Sequence, residues 1–371
     1  MPGLELWAGW AVLEMGSEGP NADDCKGGKM RTVRFKADKN QDQAYYHCIS
    51  RVVERRFALG EVEKEKFVKI MRAYEDFCGV RLLTFCVLDN HFHALVEVPR
   101  RPPPEQLPSD AELVRRLHAI KCDMVAATVE DDLARFRQEG HLKAAEELRE
   151  RFFRRMWDVS WYIRLLKQRF TQWLNSRDGR TGTLWEGRFR SVLVEGKGSI
   201  LATMAAYIDL NPMRAGIVDD PKDYRWSGYG QAAAGGKLAR EGLKIALAFR
   251  LENQSLSSTQ ALALYRSYLY ESGQACQAGP NGEKARRGFT REEIAKVLAN
   301  GGKLELEQAL LCRVRYFCAG AVLGSREFLE SVFQNHRHCF GPKRKTAARP
   351  LREFNAPGLF VARALRVRPV G

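Results

Sequence analysis

Apolar positions along this chain alternate between two periods. From Gln43 to Val53, QAYYHCISRVV crowds aromatic and β-branched residues into one run, the composition of a strand. In the following EKEKFVKIMRAYEDFCG, Phe67, Ile70, Met71, Tyr74 and Phe77 recur at spacings of three and four. That period predicts an amphipathic helix closed by Gly79. Arg81 to Leu88 is a nearly continuous apolar run, Asp89-Asn90 is turn chemistry, and His91 to Val98 reads as a returning strand. Pro99 and Pro102-Pro103-Pro104 stop the sheet. Residues 105–156 are charged and helix-prone, an inserted helical pair. Residues 159–175 predict a helix with Ile163, Leu166, Phe170 and Trp173 along one side. Thr183 to Glu195 reads as a basic strand. Ser199 is placed to cap a helix over SILATMAAYIDL, which Pro212 ends. The order β-α-β-β-(insert)-α-β-α predicts an α+β fold, an antiparallel sheet with helices.

Past Tyr229 the character changes. QAAAGGK reads as a linker and residues 240–275 as helical. GFTREEIAKVLANGG places Thr290 and Glu293 at capping-box spacing. LELEQALLCRVRYF and SREFLESVFQ predict two more helices, so 231–371 is expected to be a helical C-terminal region with a basic tail. That region reads equally as a DNA reader or as a packing domain, with Lys343, Arg344 and Lys345 able to track phosphates. Residues 1–29, Gly-rich and polar after a short apolar patch, are expected to be a disordered extension.

Charge narrows the partners. The 371 residues carry a formal net charge of +15, which favours a polyanion, nucleic acid first. Nine scattered cysteines without a CxxC fit a reducing cytoplasm. No stretch approaches the ~18 consecutive apolar residues of a membrane span. Cys312, Cys318, His336, His338 and Cys339 match no standard zinc spacing.

The most specific chemistry lies in NHFHAL, residues 90–95. On a strand, i and i+2 share a face, so His91 and His93 project together while Phe92 points away. Two imidazoles held side by side suit a divalent metal; a hydrogen-bonded pair near a turn is the plainer alternative. Glu97 shares that face, as an outer partner of the site or as a solvated strand-end carboxylate. Tyr207 and Asn211, at i and i+4, share a helix face.

TFCVLDNHFHALVEVP, GTLWEGRFRSVLVE and AAYIDLNPMRAGIVDDPKDYRWSGYG, in that order, resemble the REP-associated tyrosine transposases, HUH single-strand nucleases with one catalytic tyrosine. YHCISR at 46–51 looks like that family's opening strand. The resemblance spans about residues 45–230, and the whole domain would be 30–230 with an insert at about 101–158. It implies a ferredoxin-like sheet, His91 and His93 as ligands of Mg²⁺ or Mn²⁺, Asn211 as the third ligand, and Tyr207 as the nucleophile. It also implies single-stranded or hairpin DNA as substrate, cut through a 5′-phosphotyrosine intermediate. Such a protein would work in a bacterial-type cytoplasm at the nucleoid, as monomer or homodimer. Contacts to DNA are expected from Arg164, Lys167 and Arg169, and from the basic–aromatic alternation of Trp185, Arg188, Phe189 and Arg190. The alternatives are a DNA-binding protein of the same fold that moves no DNA, and a different HUH enzyme such as a replication initiator.

Overall fold

A computed structural model describes residues 31–32, 34–38, 41–248, 257–273, 304–305, 315–351, 354–363 and 366–367. The expected extension at 1–29 and the capping-box segment around Thr290 lie outside them.

Four strands build the first part of the sheet: β1 (Gln43–Arg51), β2 (Arg81–Leu88), β3 (His91–Pro99) and β4 (Arg190–Val194). They lie in the order β2-β3-β1-β4, each neighbour antiparallel. With α1 (Glu61–Cys78) between β1 and β2, and α5 (Val159–Asp178) between β3 and β4, this is the expected ferredoxin-like arrangement. Phe67, Ile70, Met71, Tyr74 and Phe77 of α1 are all buried, and Gly79 closes the helix in the left-handed region at φ 62°. Asp158 caps α5 by accepting from the Ser160 and Trp161 amides.

Three elements depart from expectation. The insert holds three helices, α2 (Asp110–Ala119), α3 (Asp123–Gln138) and α4 (Leu142–Phe153). Several of its arginines pair within it or with α1: Arg116 with Glu112, Arg115 with Glu112 and Asp76, and Arg137 with Asp110. The strand expected over 183–195 is only Arg190–Val194, because Trp185 meets the sheet through one bridge to Val52. Ser199 precedes α6 (Ile200–Asp209), but its side chain makes no cap. Pro212 lies in the first turn of the short α7 (Asn211–Arg214), and α6 has ended by then.

The C-terminal region corrects the helical expectation most. It does contain α8 (Gly228–Ala233), α9 (Lys237–Ala246) and α10 (Ser258–Gly273). It also holds the short α11 (Arg315–Ala319) and then α12 (Arg326–Asn335), capped by Ser325 as SREFLESVFQ predicts. Yet β5 (Gly320–Gly324), β6 (Arg349–Pro350) and β7 (Phe360–Arg363) extend the sheet to seven strands, in the order β2-β3-β1-β4-β5-β7-β6. The junction is β4 with β5, parallel, Leu193 opposite Val322. Leu304–Glu305, expected to be helical, pairs with Phe354–Asn355 instead. Runs of two to five residues are too short for periodicity to separate strand from helix.

Two cores flank the sheet. Tyr46, Cys48, Phe92, Ala94 and Val96 face α1, α5 and the insert. Leu95, Val192 and Val194 face α6, α9 and α10. On this second side a bulge at Leu83 interrupts the β2–β3 register. Gly228 of α8 and Gly242 of α9 approach there so closely that a Cβ would collide with Thr84 and with the Leu83 carbonyl.

Asp209 lies wholly buried in this layer. It accepts from Thr84 Oγ1 (2.7 Å), Tyr265 Oη (2.6 Å) and the Tyr229 amide (3.2 Å). Burial nevertheless pushes its carboxyl up to about 7, against the downward pull of those donors. A raised folded value stabilises fully below the ordinary carboxyl range, and that contribution is lost as pH rises through about 7. Comparing urea unfolding of the wild type with Asp209→Asn, we expect the wild type to lose roughly 2–3 kcal/mol relative to the variant between pH 5 and 8. A constant difference across that range would rule out the buried titration.

Candidate active site

The β1–β3 register decides what meets on the sheet. Ile49 lies opposite His93 and Arg51 opposite His91, which sets His47 diagonally beside His93 on the same face. The His47 and His93 rings stack at 5.1 Å between centroids, tilted by 20°. The His91 ring stands 5.1 Å from that of His93. Over them lies α6. Its Tyr207 ring is 6.2 Å from His47 and 6.4 Å from His93, edge-on to both. The two predicted histidines and the predicted tyrosine therefore do meet.

Hydrogen bonds fix the tautomers of all three imidazoles. The Phe317 carbonyl can only accept, so His47 Nδ1 carries a proton and donates to it at 2.9 Å. His47 Nε2 is then an acceptor, and His93 Nδ1–H donates to it at 2.9 Å. His91 Nδ1–H donates to Asn90 Oδ1 at 2.7 Å. Both predicted ligands thus carry their lone pair on Nε2, the form a metal requires. Burial draws His47 down to about 4, with Arg214 adding to the shift and the Phe317 carbonyl opposing it. It also draws His93 well below the ordinary range, aided by its imidazole neighbours and by Arg214 and Arg51. Both rings are neutral at neutral pH. His47, with both nitrogens engaged, supports His93 and is not a third ligand.

Asn211 sits one turn beyond Tyr207. Its Nδ2 donates to the Tyr207 and Ile208 carbonyls at 3.1 and 3.0 Å, which closes the end of α6 and turns Oδ1 away from those carbonyls. Glu97 is neither beside the imidazoles nor solvated. It is buried two positions past Leu95 and bonded to Arg81 at 2.9 Å, with burial raising its carboxyl against the pull of that arginine.

Sequence reasoning missed three groups. His47 was visible in YHCISR, on the β1 face that pairs with His93. Arg214 was visible in YIDLNPMRAG, two turns after Tyr207. Its guanidinium lies 4.1 Å from the Tyr207 ring centroid and donates to the Tyr207 carbonyl at 2.5 Å. The third, Phe317-Cys318, gave no signal. Phe317 packs edge-on to Tyr207 at 5.1 Å, and Cys318 Sγ lies 2.9 Å from the Tyr207 hydroxyl. Tyr207 is 1% exposed and His93 2%, whereas His91 and Asn211 are half-buried.

The residues expected to touch DNA divide. Arg188, Arg190, Lys343 and Lys345 are exposed. So is Arg164, which lies over Trp161. Arg169 is half-buried. Lys167 is half-buried on the Gly187 carbonyl at 2.7 Å, and burial lowers it to about 8. Arg344 donates to the Thr346 carbonyl. The two aromatics do not fit base stacking. Trp185 is buried against Phe67, Phe92 and Phe170, its indole N–H bonded to Thr171. Phe189 is buried under the Arg34 guanidinium at 3.7 Å. Core packing claimed both rings.

The family described as "Transposase IS200 like" matches residues 40–118, a stretch holding β1, α1, β2, β3 and the histidine pair. Among solved structures, the chain is similar to a REP-associated tyrosine transposase bound to a REP hairpin. That likeness has 13% identity and a TM-score of 0.33, over 57% of this chain and 87% of the other. Among curated proteins, none matches. Tyr207 and Arg214 lie outside the matched residues, and the fold brings them to the histidines there. Among the described residues, no helix is long and apolar enough to cross a membrane.

Imidazole titration followed by long-range proton–nitrogen correlation in the metal-free protein tests this site. His47 and His93 are expected to stay neutral, protonated at Nδ1, from pH 5.5 to 8. Titration of either ring near pH 6.5 would contradict the hydrogen-bond chain.

Proposed function

We propose that this protein is a metal-dependent transposase that cuts and rejoins single-stranded DNA through Tyr207. The reading rests on one observation: the phenol of α6 packs over the neutral imidazoles of His47 on β1 and His93 on β3, inside the family-matched sheet. The net charge of +15 supports a DNA substrate, and the hairpin borne by the similar solved transposase suggests a hairpin-bearing one.

In this reading His91 and His93, through Nε2, and Asn211, through Oδ1, hold the metal. Nitrogen and oxygen donors suit Mn²⁺ by softness, and Mg²⁺ is the commoner ion in cells. When bound there, the ion supplies Lewis-acid polarisation of a phosphate oxygen. His47 and the Phe317 carbonyl hold His93 in its ligating tautomer. The Tyr207 oxygen attacks phosphorus and loses its proton to water, while the bond from phosphorus to the 3′ oxygen breaks and that oxygen takes up a proton from water. The products are a 5′-phosphotyrosine and a free 3′-OH that can reverse the step on another end. Arg214 holds positive charge against the ring that becomes the nucleophile.

A second reading, a DNA-binding protein that does not cleave, is favoured by the covered phenol: Tyr207 is buried and its hydroxyl is engaged by Cys318. The two readings separate when hairpin-bearing single strands from the flanks of the gene are incubated with the protein and Mn²⁺ or Mg²⁺. An SDS-resistant adduct is expected that needs the metal, vanishes in Tyr207→Phe and His91→Ala, and falls roughly 10–100-fold in rate in Arg214→Ala. Hairpin binding without an adduct selects the second reading. An adduct that persists in Tyr207→Phe refutes Tyr207 as nucleophile.

A further inference from the structure

Away from Tyr207, the turn after α12 brings two imidazoles and a thiol together. His336, His338 and Cys339 offer ligand atoms that all lie within 4.8 Å of one another. They come from one 3-10 turn, Arg337–Cys339, and the residue before it, held by the Cys339 amide on the His336 carbonyl at 2.8 Å. We propose that this turn binds a borderline-soft divalent ion of the Zn²⁺ type through His336 Nδ1, His338 and Cys339 Sγ, with water in the fourth position.

The first support is the tautomer of His336. Its Nε2–H donates to the Lys36 carbonyl at 2.8 Å, which places the lone pair on Nδ1. A ligating histidine is commonly oriented in this way, by donating its other N–H to a backbone carbonyl. The second is the setting of the ring. Phe35 packs edge-on to His336 at 5.3 Å and stacks on Phe340 at 5.6 Å, which seats the turn on an apolar floor. Next to it, Asn335 Nδ2 donates to Asp38 Oδ2 at 3.1 Å. The third is charge. Arg337, inside the turn, is directed away, donating to the carbonyls of Phe340, Gly341 and Pro342. His338 is exposed and Cys339 half-buried, so an ion can enter from solvent.

The donor set selects the metal. Two imidazoles and a thiolate favour Zn²⁺, whereas the nitrogen–oxygen set proposed at His91 and His93 suits Mn²⁺ or Mg²⁺. Binding converts the Cys339 thiol to thiolate and releases one proton to solvent, so affinity rises with pH. The ion would tie the end of α12 to the segment around Lys36, close to where that segment leads into β1. Cys312 and Cys318, which sequence grouped with these residues, take no part: Cys318 is at Tyr207, and Cys312 lies outside the described residues.

The test is a Co²⁺ titration of the reduced, metal-stripped full chain, followed by absorption and by proton release. A thiolate-to-cobalt charge-transfer band is expected to saturate at one equivalent and to be displaced by Zn²⁺. Cys339→Ser should abolish the band. His338→Ala, a change at an exposed side chain, should weaken binding by at least the ten- to hundredfold that loss of an outer partner costs. Cys318→Ser and His91→Ala should leave the band unchanged. A missing band overturns the site. So does a band that survives Cys339→Ser, or one that depends on Cys318, since the thiolate would then lie elsewhere.

Discussion

One buried carboxyl holds the second layer of this molecule together. Asp209 ends α6 and gathers a hydroxyl from β2, an amide from α8 and a phenol from α10. A carboxylate so far from water is costly unless donors satisfy its oxygens. Here three separate elements must converge before those oxygens are satisfied. That requirement fixes the rotation and height of α6 over the sheet. Two residues earlier on the same helix is Tyr207, so the position of the phenol follows from the anchoring of Asp209.

Across from that helix, the histidine face works by exclusion of charge. An imidazolium next to another imidazole, under Arg214, in a buried layer would be strongly disfavoured. His47 and His93 therefore share protons in one direction only, set by a carbonyl that cannot donate, while Asn90 sets His91. This gives the pair on β3 a defined lone-pair direction before any ligand arrives, the preorganisation that metal and phosphate chemistry benefits from. The same carbonyl comes from Phe317, which also packs on Tyr207. Histidines, phenol and covering segment form one packed unit.

Much of this was legible in the sequence, for identifiable reasons. β2, β3 and α1 were readable to the residue or nearly so, because long runs carry an unambiguous period and Gly79 and Asp89-Asn90 punctuate them. The meeting of His91, His93 and Tyr207 was readable from strand alternation and motif order. Trp185 and Phe189 misled because an aromatic among arginines looks the same whether it faces a base or the core, and only packing decides. β5 and β7 were hidden by brevity. Phe317-Cys318 could not be found at all, since a residue contributing a carbonyl and a thiol needs no particular neighbours in sequence. His47 was available but unweighed: its relation to His93 depends on cross-strand register, which no local pattern specifies.

The parallel pairing of β4 with β5 has a consequence for how the chain is made. β4 ends at Val194, and its partner strand begins at Gly320. During synthesis at roughly 5–20 residues per second, β4 is an apolar edge for on the order of ten seconds before its neighbour emerges. Glu195, which finally accepts from the amide and hydroxyl of Ser325, has nothing there to accept from until then. The Phe317 carbonyl reaches His47 only with that same late segment. In a newly made molecule the four strands β1–β4 are therefore all present well before the segment that covers Tyr207.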